Sequence, residues 1–357
     1  MENITQPRAR RDLAPDILKL IATVGVVVIH ISAQGVTSFA LGSFNWLVCT
    51  FWDSLARFAV PVFFMCTGAM MLDPGKELTI GHIYKKYFLR VLWILLFWSW
   101  AYYIFTIVGQ YVLSGWWEPN GLLNSFIQTL RMNHHLHLYY LQMLLLLYVC
   151  LPVLRVFVRA SSEKEQNYAI GIWLALGIAL PLLINYYPLS WFGGLIPSMR
   201  IDMVWAALGY ALLGRVMYSR EPDRRHLAGY VWMFGIGLVV TFGGTVAASM
   251  LTGEVELGFL EGMSPGPALC AAGLFGFVRI LCLERSSSPL IAKLTRASFC
   301  VYLIHHFFIM VFRQIGFDVL LFTPLIEVPV ETAAVIALSL VGWKILSVIP
   351  FVKDHLI

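Results

Sequence analysis

The sequence predicts an all-α, polytopic membrane protein of about ten transmembrane helices, with both termini in the cytoplasm. Composition is the first reason. Hydrophobic residues make up 59% of the chain and charged residues 13%, against roughly 25% charged in soluble domains, and the mean hydropathy is +0.76. The second is that apolar runs recur along all 357 residues and leave no length for a separate soluble domain. The chain, residues 1–357, therefore reads as a single integral-membrane domain with a cytoplasmic tail, residues 1–14.

The third reason is the pattern of positive charge. Spans are expected near residues 15–35, 44–72, 88–113, 137–158, 168–187, 199–218, 228–250, 265–283, 294–313 and 326–350. With that count, 21 of the 25 Lys and Arg residues fall at inner helix ends or inner loops, Arg131, Arg200 and Arg313 fall outside, and Arg57 lies within a span. Cytoplasmic loops favour Lys and Arg, so the asymmetry sets the orientation. The net charge of +5 is thereby explained by topology, and no basic groove points to nucleic acid. The six cysteines sit in or beside apolar runs without metal-ligand spacing and read as buried small side chains. No convincing cleavage site follows the first apolar run, which reads as a retained span.

The first span, from Asp16 to Ile31, is apolar apart from one stripe. Eleven helical steps leave Lys19 and His30 about 20° apart around the axis, and Asp16 and Thr23 flank the same line. Ionisable groups at membrane depth are costly and point to function. The second span holds Asp53 and Arg57 at pairing distance, as an ion pair or as part of a site, and Pro61 and Gly68 should bend or loosen it. Trp93, Trp98, Trp100, Trp116 and Trp117 in and after the third span read as interfacial anchors and core.

Three readings fit the following outer loop. His134, His135 and His137 could bind a metal, although no carboxylate or cysteine stands close by in the sequence; the loop could recognise an outer-side substrate; or Leu122–Arg131 is an interfacial helix. No metal is expected overall. In the sixth span, Gly209 and Gly214 suit close helix packing. Glu254, Glu256 and Glu261 make a later outer loop acidic. In the ninth, Tyr302, His305 and His306 form a second polar group. Adjacent helical residues point about 100° apart, so at most one of the two histidines should face the cavity of His30.

Taken together, these stretches resemble the integral-membrane acyltransferase family 3 in its short form, without an appended soluble domain. The most specific part is the basic residue, ten-residue gap and histidine, here Lys19 and His30. Supporting matches are Val60 to Gly68, His137 to Leu151, Leu208-Gly209-Tyr210, Tyr302-Leu-Ile-His305 and Ile349-Pro350. Lys19 stands where the family often has arginine, and Thr67 where it often has serine. Paired arginines common near the third span are represented by Lys86 and Arg90 at altered spacing.

The resemblance implies a bacterial cytoplasmic-membrane O-acyltransferase, most similar to glycan O-acetyltransferases. The donor would be cytoplasmic acetyl-CoA or another acyl-CoA, and the acceptor a hydroxyl of an envelope glycan or lipid-linked sugar. Lys19, Lys85, Lys86 and Arg90 are the candidates for holding the donor's phosphates. His30, about 16 Å deeper than Lys19, suits general-base work on a hydroxyl, or acyl transfer through its own ring. Lys19, Tyr302 and His305 complete the catalytic candidates, the last two as oxyanion donors. A transporter or flippase, with Lys19, His30, Asp53, Arg57 and His305 along a pathway, is the competing reading, although no internal repeat supports it. Acceptor, acyl chain and oligomeric state stay open at this level.

Overall fold

A computed structural model describes residues 11–133, 136–186, 188–192 and 203–357. Among them the regular structure is helical, with one isolated bridge between Asp12 and Ser286. The helices are α1 (Leu13–Ser38), α2 (Phe44–Ala56), α3 (Ala59–Met71), α4 (Ile80–Ser114), α5 (Gly121–Leu130), α6 (Tyr139–Ala160) and α7 (Glu163–Leu183). They continue with α8 (Met203–Ser219), α9 (Arg224–Thr252), α10 (Gly258–Leu281), α11 (Pro289–Gln314), α12 (Pro324–Leu346) and α13 (Pro350–His355).

Nine helices among the described residues, counting α2 and α3 as one, are long and apolar enough to cross a membrane. The expected sixth span corresponds to α8, which is 17 residues long as described and adjoins the undescribed residues 193–202. Arg11, Lys353 and Ile357 line one cavity, so the two ends of the described chain meet at the same end of the bundle. That end is called the basic end below. Arg8, Arg10, His134, His135 and Arg200 lie outside the described residues.

The bundle is apolar outside as well as inside. Trp93, Val112, Val153, Trp232, Val239 and Leu251 are all more than half exposed, as expected of side chains whose solvent is lipid. On α5 the polarity is turned over: Gly121, Ser125 and Thr129 are buried, while Leu122, Leu123, Phe126 and Leu130 face outward. That is the geometry of an interfacial helix. Of the tryptophans around α4, Trp98 is core and donates its indole N–H to the carbonyl of Leu356 at 3.0 Å. All six cysteines are free thiols, five of them buried.

Local chemistry fixes the elements that carry the site. Asp12 caps α1 by accepting from the amide of Ala14 at 3.0 Å. Asp16, in the first turn, is buried and accepts from Arg11 at 2.6 and 2.7 Å and from Ser287 at 2.6 Å. Its partners are therefore Arg11 and Ser287 rather than Lys19, and it ties α1 to the start of α11. The long second span breaks at Arg57 and Phe58. Pro61 then falls in the first turn of α3, where its missing N–H has no intrahelical bond to make.

Close approach of α3 and α8 depends on glycine. A Cβ on Gly68 would meet the backbone of Ala211, and one on Gly214 would meet the backbone of Met65. Gly209 similarly makes room for the Trp173 ring. The small residues of α8 thus do the packing that their sequence suggested.

Candidate active site

Among the described residues, α1 contributes to two adjoining cavities. The first opens near the basic end and has a volume of about 640 Å³. Lys19, Lys86 and Arg90 line it, joined by Arg11, Arg296 and Lys353 from the first helix approach, α11 and α13, with Asp354 the one acidic residue. Its deeper wall is aromatic, with Phe63, Tyr140, Tyr148, Phe299 and Tyr302. Lys85 is exposed and is not among the lining residues. Adjacent residues point well apart around a helix, here one of π geometry over Ile83–Phe88, so Lys86 reaches the cavity and its neighbour does not.

The second cavity, about 600 Å³, is lined by His30, Arg57, His137, Tyr139 and Glu261 amid apolar residues such as Val26, Ile29, Val60 and Met263. Lys19 and His30 therefore face two adjoining cavities rather than one continuous passage. Tyr140 and Tyr302 belong to the walls of both. Arg57 is oriented by Asp53, which is fully buried, through a 2.6 Å ion pair. The pair thus buries its carboxylate and presents its guanidinium to the cavity.

Behind His30 three further imidazoles converge. Ring centroids lie 5.3 Å from His30 to His305, 5.5 Å to His306 and 6.1 Å to His137. His137 in turn stacks on His306 at 4.6 Å and stands edge-on to Tyr102 at 4.3 Å. Neither His305 nor His306 is among the residues that line the His30 cavity. Both rings nevertheless pack against His30, which reaches between them from α1. Arg313 holds the same junction by donating to the carbonyl of His30 at 3.1 Å. Despite this convergence, no group of three or more His, Cys, Asp or Glu among the described residues has an arrangement that could hold a metal ion.

Hydrogen bonding assigns different duties to the remaining candidates. The hydroxyl of Tyr302 donates to the carbonyl of His137 at 2.6 Å. His305 uses Nδ1 against the carbonyls of Tyr302, at 2.7 Å, and Val301, at 3.2 Å. A carbonyl only accepts, so Nδ1 carries the proton and Nε2 presents a lone pair. In this arrangement the protons of both side chains are committed to carbonyls and neither presents one to an oxyanion. Arg57, on the cavity wall, does.

His137, His306 and Glu261 were not assigned to a site with His30 from the sequence, nor were Arg11, Arg296 and Lys353 assigned to the basic cavity. Their one signal was membership of the inner positive set or of a polar cluster beside an apolar run.

The fold and the site together define a polytopic helical membrane protein with a cationic cavity and a largely apolar one that share Tyr140 and Tyr302, and a histidine cluster beside the second. Residues 12–347 match the acyltransferase domain of acyltransferase family 3, and the chain belongs to that family. It is a membrane acyltransferase. Comparison with curated proteins and with solved structures finds no match.

Proposed function

We propose that the protein transfers an acyl group, acetyl in the first instance, from cytoplasmic acyl-CoA to a hydroxyl of a cell-envelope glycan or lipid-linked sugar, in a bacterial cytoplasmic membrane. The observation that carries this reading is that His30 faces one cavity while six basic side chains line the cavity against its wall. Those cations suit a donor with a diphosphate and a further phosphate. The aromatic inner wall suits the uncharged arm that carries the thioester. Arg57 and Glu261, set among apolar groups, suit a sugar, whose hydroxyls both accept and donate.

In this mechanism the acceptor oxygen bonds to the acyl carbon as its proton passes to His30. Arg57, held by Asp53, donates to the carbonyl oxygen as negative charge develops there. The carbon–sulfur bond then breaks, and the proton leaves with the thiol. Membership of an acyltransferase family favours this chemistry over transport.

Purified His30→Ala protein, monodisperse and with wild-type thermal stability, should lose at least about 10²-fold in transfer from radiolabelled acetyl-CoA. Full activity in such a sample removes His30 from the chemistry.

A further inference from the structure

The wall between the two cavities raises a question that the acyl-transfer reading leaves open. The donor's charged part fits the basic cavity, yet His30 lies on the far side of Tyr140 and Tyr302. Their ring centroids are 5.5 Å apart at 78°, an edge-to-face contact within the 4.5–7 Å range of touching aromatic pairs. Phe63 packs 5.4 Å from Tyr140 and 6.5 Å from Tyr302. Nothing as thick as an alkyl chain passes between rings in contact, so the septum is closed in this arrangement.

We propose that Tyr140 and Tyr302 form a gate through which the acyl group enters head first, and that Tyr140 is its moving leaf and sets the acyl-chain specificity. This rests on the acyl-transfer reading. Tyr302 is the fixed leaf. It is buried, it sits within α11, its hydroxyl is held by the carbonyl of His137 at 2.6 Å, and its own carbonyl is held by His305 at 2.7 Å. Tyr140 is the second residue of α6, directly after the short 3₁₀ turn Leu136–Leu138. Its hydroxyl meets the side chain of Thr67, which is itself on the wall of the basic cavity. Tyr140 is also buried and packs on Phe63 and Phe64, at 5.4 and 5.0 Å, but its rotation breaks only side-chain contacts, whereas rotation of Tyr302 would disturb the backbone beneath the histidine cluster.

An opening one ring wide admits a narrow group followed by a narrow arm. Long or branched acyl groups meet two obstacles. They must clear the opening, and beyond it they share about 600 Å³ with the acceptor. The gate thus selects short, unbranched acyl groups. Closed between turnovers, it also separates a thioester waiting on the basic side from His30.

The test uses inverted membrane vesicles from cells expressing the full chain, supplied with radiolabelled acetyl-, butyryl- or octanoyl-CoA. Label in the glycan and lipid fraction reports transfer, and thiol release without label incorporation reports leakage to water. Wild type should prefer acetyl. Tyr140→Ala should raise the butyryl-to-acetyl ratio of kcat/KM by about tenfold or more and increase thiol release, while Tyr140→Phe leaves the ratio within about twofold. Tyr140→Leu, which keeps apolar volume, should move the ratio in the same direction and serves where the alanine variant fails to accumulate. An unmoved ratio in Tyr140→Ala or Tyr140→Leu protein that still transfers acetyl overturns the gate and leaves the transfer reading standing. Wild-type vesicles that incorporate no label from any of the three donors overturn both.

Discussion

The imidazole of His305 stands 5.3 Å, centroid to centroid, from that of His30, with its Nδ1 already committed to the carbonyl of Tyr302 at 2.7 Å. The Nε2 lone pair is fully buried and has no hydrogen-bond partner. Such an atom gains a partner when His30 takes a proton, because the imidazolium has two N–H groups to donate. One faces the reaction and the other can meet Nε2.

His305 is on this argument a positioning residue for His30. His305→Ala should lower kcat on the order of 10²-fold with little change in KM for the donor, and His305→Gln, whose amide oxygen replaces the acceptor, should recover part of the loss. If the two variants lose equally, or if the loss appears in KM alone, the orienting role is wrong.

Asp53 and Arg57 give a second expectation, one that separates stability from catalysis. Asp53 is buried and Arg57 about a fifth exposed, at 21%, so removing the carboxylate strands a guanidinium that is largely out of water. Asp53→Ala should cost about 2 kcal/mol, between the values for exposed and buried pairs, and Arg57→Ala added to it should recover part of that stability. Activity should follow the other order, since Arg57 faces the cavity: Arg57→Ala and the double variant should be equally inactive. Additive unfolding energies in detergent would show that the two side chains do not depend on each other.

How much of this was readable from the chain alone follows from the range of each interaction. The stripe of Lys19 and His30 is periodic within one helix, and the apolar spans, the positive asymmetry and the glycines of α8 are likewise local signals. The spans and the glycines have their counterparts in the folded bundle. The partner Ser287 of Asp16 is 271 residues away, and helical periodicity carries no information about such a partner. The fourfold histidine cluster was missed for the same reason, since His137 precedes α6 and the other three sit on α1 and α11. Lys85 and Lys86 are neighbours that point well apart around a helix, and the sequence does not say which of them faces the cavity. The break at Arg57 was half visible: Pro61 marked a bend, but the turn in fact falls before it, which is where a proline best fits a new helix.

The basic cavity supplies the sharpest contrast between neighbours, because Lys86 lines it and Lys85 does not. Six basic residues and one acidic residue on its wall, 6 − 1, give a local charge of +5. A bound polyanion there is held partly by the field of the whole group and partly by its nearest cations. Arg90 also donates to the backbone carbonyl of Ile357 at 2.9 Å, so its guanidinium is fixed across the mouth rather than free in solvent. Each cation of this partly exposed kind contributes about 1 kcal/mol, or roughly a fivefold change in affinity. Lys86→Gln and Arg90→Gln should each raise KM for acyl-CoA by that factor with kcat unchanged, the pattern of binding energy shared equally by ground state and transition state. The effect should shrink as salt rises, since these charges are screened. Lys85→Gln should leave KM within about twofold of wild type at the same ionic strength. Equal shifts for the two adjacent lysines would mean that the donor reads net positive charge at the membrane surface instead of the cavity wall.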